Sequence, residues 1–346
     1  MPAQKEAGKY QTDAGIPVRF LPLAQWCSLL EQFWIKRLSR QTRWTLYADE
    51  RINTMAFMRS LRDALAEDDI DILYIQEYWS GRFDHIVNAL DVPVVGADHG
   101  GVSKNVVKLF KTQAFEKAAL CYGQTEAECR MIERYGGRSK LLPNGCDISE
   151  FSPDPSVQRS KTVLTVTRLT NRQKRTSDLI RALAKLPEEW SLDIVGTGPH
   201  RRMLEVLAAA LNIESRVRFH GFVSRAKVRD FLRRCGVYAM PSANEAVALA
   251  ALEAMACGAS VVLSRICAFE QLVTNGVNGH LVPVGDVDRL ADSILSAWEC
   301  RDTLGPAAVE TVRKRYNTHV LYLELAESLR GLLRQDGLVG MQVRTA

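Results

Sequence analysis

Two stretches in which short apolar runs alternate with amphipathic helices are separated by a segment too dense in turn residues to be either. The first holds apolar runs at Ile16–Leu23, Asp71–Ile75, Val92–Gly96, Ala118–Tyr122 and Lys140–Leu142, with helical patterns at Trp26–Tyr47, Arg51–Leu65, Lys104–Lys117 and Thr125–Tyr135. The second holds runs at Thr162–Thr167, Ser191–Val195, Arg216–Phe219, Val237–Met240, Ser260–Leu263 and His280–Val282, each followed by a helical pattern or a turn. Such alternation predicts parallel sheets covered on both faces, because each crossover lays a helix against the sheet. The intervening Pro143-Asn144-Gly145-Cys146-Asp147 and Phe151-Ser152-Pro153-Asp154-Pro155 read as a connection. A chain of 346 residues is longer than one core sustains. The expected fold class is therefore α/β, with two Rossmann-like, doubly wound domains facing a cleft. Their expected limits are 1–150 and 151–318, with a helix and tail at 319–346 that returns to the first domain.

Ligands of such sheets lie at the carboxyl ends of the strands. The segment after Val237–Met240 is Pro241-Ser242-Ala243-Asn244-Glu245, and Glu253 follows eight positions after Glu245 within Glu253-Ala254-Met255-Ala256-Cys257-Gly258. With Glu245 just before a helix and Glu253 two turns inside it, the two lie roughly 12 Å apart along the axis. That separation suits a sugar at one end and a ribose at the other. The helix N-terminus between them presents unpaired N–H groups to a diphosphate. A loop glutamate and an unrelated solvated helix glutamate fit the spacing as well. Arg168 and Lys174, after another strand, offer a planar fork and a compact charge for phosphate oxygens. Gly196 and Gly198 permit positive φ and close backbone approach, or form only a tight turn.

Composition excludes more than it selects. The net charge of +5 suits anionic ligands but gives no case for nucleic acid. Eight cysteines are scattered without Cys-x-x-Cys pairs or nearby histidine groups, so neither a zinc site nor a disulfide framework is expected. Asp69-Ile70-Asp71 imitates a metal-binding Asp-x-Asp but joins a helix to a strand, and no catalytic metal or cofactor is expected. The polar start lacks a signal peptide's apolar core and no run reaches the ~20 apolar residues of a spanning helix. The expected location is cytoplasmic, or peripheral at the inner face of the membrane. Aromatic and basic residues over 26–44 fit an interfacial helix touching lipid; an ordinary amphipathic helix packed on the first sheet fits them too.

The ordered set of segments resembles the retaining glycosyltransferases of the GT-B fold, family 4. It comprises Thr167-Arg168-Leu169 with Lys174, Gly196-Thr197-Gly198-Pro199, His220-Gly221-Phe222-Val223, Pro241-Ser242 with Glu245 and Glu253, and the Pro143–Asp147 linker. The resemblance implies transfer of a sugar from a UDP- or GDP-linked donor to a glycan, lipid-linked or small-molecule acceptor. It gives Glu245 the sugar hydroxyls, Glu253 the ribose, and Arg168 and Lys174 the diphosphate. Gly196, Gly198, Phe222, Ala248 and Leu249 are placed beside the donor, and His99 of Asp98-His99-Gly100 faces the reacting sugar. Two departures stand out. Val247-Ala248 replaces the family's Phe-Gly, and no glycine-rich strand-loop-helix unit precedes Ile16, so the first domain is expected to be short of one or two elements, its first strand-loop-helix. A non-catalytic homologue binding a sugar nucleotide or a partner protein, and a sugar-nucleotide epimerase or phosphorylase of the same fold, remain as alternatives.

Overall fold

The computed structural model describes residues 8–11, 17–20, 58–59, 61–63, 65, 71–76, 81–97, 114–245 and 249–335. His99, Ala248, the 26–44 segment and most of the expected Lys104–Lys117 helix lie outside them. The described residues before 142, together with 326–335, form one compact unit, and 142–325 form a second.

The first unit contains a four-stranded parallel sheet in sequence order: β3 (Leu73–Gln76), β4 (Val94–Ala97), β5 (Leu120–Gly123) and β6 (Ser139–Leu141). The helices are α1 (Gly81–Ala89), α2 (Ala114–Lys117) and α3 (Glu126–Arg134). Thr125 caps α3 by accepting from the Glu128 N–H at 3.2 Å. Phe83, Ile86, Val94, Phe115, Cys121 and Ile132 make one core against this sheet. Pro17–Phe20 (β2) does not join the parallel sheet. It pairs antiparallel with Gly8–Gln11 (β1) in a separate two-stranded sheet.

The second unit is a six-stranded parallel sheet built from β7 (Ser160–Val166), β8 (Ser191–Val195), β9 (Val217–Gly221), β10 (Cys235–Met240), β11 (Ser260–Ser264) and β12 (His280–Val282). Its spatial order is β12-β11-β10-β7-β8-β9, so the chain starts in the middle, winds outward one way, then returns to wind the other. The reversal lies between β7 and β10, where Val163 sits opposite Val237 and Leu164 opposite Tyr238. Alternate side chains serve opposite faces. Val163, Ile194, Val237 and Val262 join one core, with Leu179, Leu204 and Ile294 from the helices α5 (Thr176–Leu183), α6 (Arg201–Ala210) and α10 (Val287–Glu299). Leu164, Tyr238, Val261 and Leu263 join the other, with Leu232, Leu252 and Val312 from α7 (Arg225–Arg234), α8 (Leu249–Ala256) and α11 (Arg301–Arg315). Burial on both faces explains why these strands read as unbroken apolar runs. Helix α12 (Thr318–Gln335) closes the described chain.

Candidate functional site

A doubly wound sheet leaves a crevice where its strand order reverses, outside the carboxyl ends of the two strands that part there. Here those strands are β7, leading into Thr167-Arg168-Leu169, and β10, leading into Pro241–Glu245. Beyond β7 the chain makes a single turn of helix, α4 (Asn171–Lys174), which ends at Arg175 in the left-handed conformation with φ 50°.

This turn is fastened to the segment beyond β10. The Ala243 N–H donates to the Gln173 carbonyl at 2.8 Å, and Gln173 Nε2 donates to the Asn244 carbonyl at 3.1 Å. Lys174 Nζ donates to both carboxylate oxygens of Glu245, at 2.6 and 2.7 Å. The pair is well shielded from water, with side-chain exposures of 17% for Lys174 and 6% for Glu245. Lys174 is therefore an engaged cation, and Glu245 is held by its counter-charge. Arg168 differs: it is exposed and has no ion-pair partner among the described residues.

The glycines have a definite packing role. A Cβ on Gly196, whose φ is 129°, would stand 1.9 Å from the Thr167 carbonyl oxygen, and one on Gly198 would stand 2.6 Å from that of Leu169. Their bareness lets the β8 turn lie flat on the β7 end, where the Thr167 N–H reaches the Val195 carbonyl and the Leu169 N–H reaches that of Thr197, both at 2.9 Å. The Gly196 N–H in turn donates to the Gly221 carbonyl at 2.8 Å, and Phe222, the next residue, is 88% exposed.

Glu253 is the fifth residue of α8 and Leu249 its half-exposed first. The Glu253 carboxylate lies 3.7 Å from Arg225 Nη2, and Arg225 Nε donates to Glu150 at 2.6 Å. Burial raises the Glu253 pKa and the charge of Glu150 adds to that, while Arg225 opposes both. Between the two glutamates in electrostatic terms is Tyr238, fully buried in β10. Burial pushes its hydroxyl well above the usual range, and the charges of Glu245 and Glu253 push the same way. Both carboxylates thus bear on one phenol.

The hydroxyls of Ser242, Thr167 and Thr170, all just beyond β7 and β10, are buried without a hydrogen-bond partner among the described residues. Buried polar atoms are seldom left without a partner, and a ligand or ordered water is one way such a set is completed. Gln173, Arg225, Glu150 and Tyr238 were not among the sequence candidates. No group of three or more His, Cys, Asp or Glu suited to a metal occurs among the described residues.

A family model described as glycosyl transferases group 1 matches residues 148–314, the whole of this sheet and its helices. The second unit thus resembles a glycosyl transferases group 1 domain. The chain is 27% identical to a phosphatidyl-myo-inositol mannosyltransferase of Mycolicibacterium smegmatis over 70% of its own length and 65% of the relative's. It is 35% identical to an uncharacterized glycosyltransferase of Methanocaldococcus jannaschii over 56% of its length and 54% of the relative's. It thus spans less than two thirds of both relatives. Among solved structures it resembles sucrose-phosphate synthase from Thermosynechococcus elongatus, with a TM-score of 0.76 at 20% identity, covering 96% of this chain and 87% of that one. It also resembles Anabaena HepE, solved in complex with UDP and glucose, with a TM-score of 0.65 at 23% identity over 80% and 81%. The chain accordingly carries the GT-B fold class expected from the sequence. No helix among the described residues is long and apolar enough to cross a membrane.

Proposed function

We propose that this chain transfers a sugar, with retention of anomeric configuration, from a nucleoside-diphosphate sugar to a glycan, lipid-linked or small-molecule acceptor. The observation that carries the reading is the shielded Lys174–Glu245 pair fastened across the β7/β10 switch point of a unit that resembles a group 1 domain. In this reading the unpaired guanidinium of Arg168 receives the diphosphate oxygens. The N-terminus of α8 helps to stabilise the charge that develops there as the glycosidic bond breaks. Glu245 accepts hydroxyls of the donor sugar, and Lys174, donating to both of its oxygens, fixes the orientation of the carboxylate. Because Lys174 engages both Glu245 oxygens, Glu245 suits hydrogen bonding better than nucleophilic attack, which favours delivery of the acceptor on the face the nucleotide leaves. Glu253 accepts the ribose hydroxyls and the exposed Phe222 lies beside the base; the family resemblance alone assigns His99, outside the described residues, to the reacting sugar.

The names of the relatives suggest which donors and acceptors to try first. UDP and glucose occur in the HepE structure, and the Mycolicibacterium smegmatis relative is named a phosphatidyl-myo-inositol mannosyltransferase. UDP-glucose and GDP-mannose, each offered with inositol lipid or glycan acceptors, form the first panel. Release or transfer of radiolabelled sugar by the wild-type chain, abolished in Glu245→Ala, is the expected result. The replacement of Phe-Gly by Val247-Ala248 favours a second reading, donor binding without turnover, and saturable binding with no sugar release across the panel would establish it.

A further inference from the structure

Glu253 has a neighbour that the donor-binding assignment leaves unused. Arg225, the first residue of α7, bridges two carboxylates: its Nε is 2.6 Å from Glu150, and its Nη2 is 3.7 Å from Glu253. Its guanidinium also lies 4.8 Å from the centre of the Phe151 ring, a cation–π contact that limits where the side chain can swing. Glu253 is the inner member of this row, with its side chain 18% exposed against 30% for Glu150 and 59% for Arg225. Glu150 lies in the turn before the second sheet and Arg225 opens α7, three residues after Phe222, so the sheet's winding brings both to α8.

We propose that Arg225 is a positioning residue for donor binding, shared between Glu150 and Glu253, which keeps Glu253 charged and aimed so that it can accept the ribose hydroxyls. The inference rests on Glu253 as the ribose ligand. A carboxylate that accepts from two hydroxyls binds as the anion, and protonation converts one acceptor into a donor. Burial disfavours that anion here, and Glu150 adds like charge. Arg225 supplies the opposing positive charge. The other titratable groups facing Glu253 are neutral in the working range: burial pushes the Cys146 and Cys257 thiols up to about 12 and the Tyr238 hydroxyl well above its usual value. Arg159, Arg229 and Arg233 bear on Cys257, just past the end of α8. The Glu150 charge makes the arrangement adjustable, because each carboxylate competes for the same guanidinium.

Removing Arg225 should therefore raise the pH at which donor affinity is lost on acidification, and removing the Glu150 charge should lower it. The test is calorimetric titration with UDP-glucose and GDP-mannose from pH 4.5 to 8, using the wild-type chain, Arg225→Met, Arg225→Lys, Glu150→Gln and Glu253→Gln. Sugar-linked diphosphates have no secondary phosphate ionisation in this range, so the profile reports the protein. The half-loss pH should rise by about one unit in Arg225→Met, fall in Glu150→Gln, and return towards wild type in Arg225→Lys, with Glu253→Gln weak and flat throughout. A merely structural Arg225 would weaken binding equally at every pH, and parallel profiles for Arg225→Met and wild type would overturn the proposal. If Glu253→Gln binds as wild type, the ribose assignment fails, and this inference fails with it. If neither donor binds the wild-type chain at any pH, the functional reading itself falls.

Discussion

The Lys174–Glu245 pair makes a quantitative prediction about the second unit's stability, separate from its chemistry. Both side chains are largely withdrawn from water, and each of the two carboxylate oxygens receives a short Nζ contact. Removing one partner leaves the other charged and without its counter-ion in a poorly solvated place, which costs about 3–5 kcal/mol for fully buried pairs. The 17% exposure of Lys174 admits some solvent relief. Glu245→Leu, which strands the lysine, should therefore cost about 2–3 kcal/mol, and Lys174→Met, which strands the better buried carboxylate, about 3–4 kcal/mol. The double variant should cost well under the sum, because it strands neither charge, giving a coupling of about 2 kcal/mol or more. Urea titration followed by hydrogen exchange at the β10 amides confines the measurement to this unit. Two single variants within about 0.5 kcal/mol of wild type, or a double variant that is simply additive, would refute the claim that the contact is a desolvated pair.

Three further outcomes follow. Gly196→Ala should unfold the second unit or cost upwards of about 4 kcal/mol, because its methyl would enter the Thr167 carbonyl. Gly276→Ala, at φ 77° with nothing within 4 Å, should cost only about 1–2 kcal/mol; similar thermal melts for the two variants would contradict this account. Among the described cysteines, alkylation at pH 8 with peptide mapping should label Cys267 and Cys300 first. Cys121, Cys146, Cys235 and Cys257, pushed up to about 12 by burial, should react only on unfolding. Phe222→Ala should leave stability unchanged, since the ring is 88% exposed, but weaken donor binding roughly tenfold if it stacks on the base. Equal affinities would remove Phe222 from the site.

The sheets were legible because burial on both faces imposes a signal that no ligand or partner alters. Ser191–Val195 has the same bounds in sequence and structure, and most other strands of the second unit shift by one or two residues. The short turn Asn171–Lys174 was not legible. Four polar residues carry no periodicity, and that turn is made by its bonds to residues about 71 positions away. The same distance hid the partnership of Lys174 with Glu245, though each was a candidate by itself. The glycine turn was legible as a close approach, but its partner in the structure is the neighbouring strand end, a fact that depends on which strand lies next to which. Arg225 and Glu150 had no signal at all, as each is one charged residue on a polar stretch, and only the winding of the sheet brings them to Glu253. Ile16–Leu23 was legible as a strand, but its antiparallel partner Gly8–Gln11 was too short and polar to suggest a separate sheet.

The central position of β7 has a consequence for how this unit matures. Because the first strand of the sheet ends up beside the fourth, the crevice between them cannot be assembled as the chain emerges. Its two lips stay apart until β10 has been made and has docked against β7. Any species halted earlier, with β7 to β9 already zipped, would look substantially folded by circular dichroism yet offer no nucleotide a seat. Ligand capture during refolding should then lag behind the return of secondary structure, reporting the closure of that one long-range pairing.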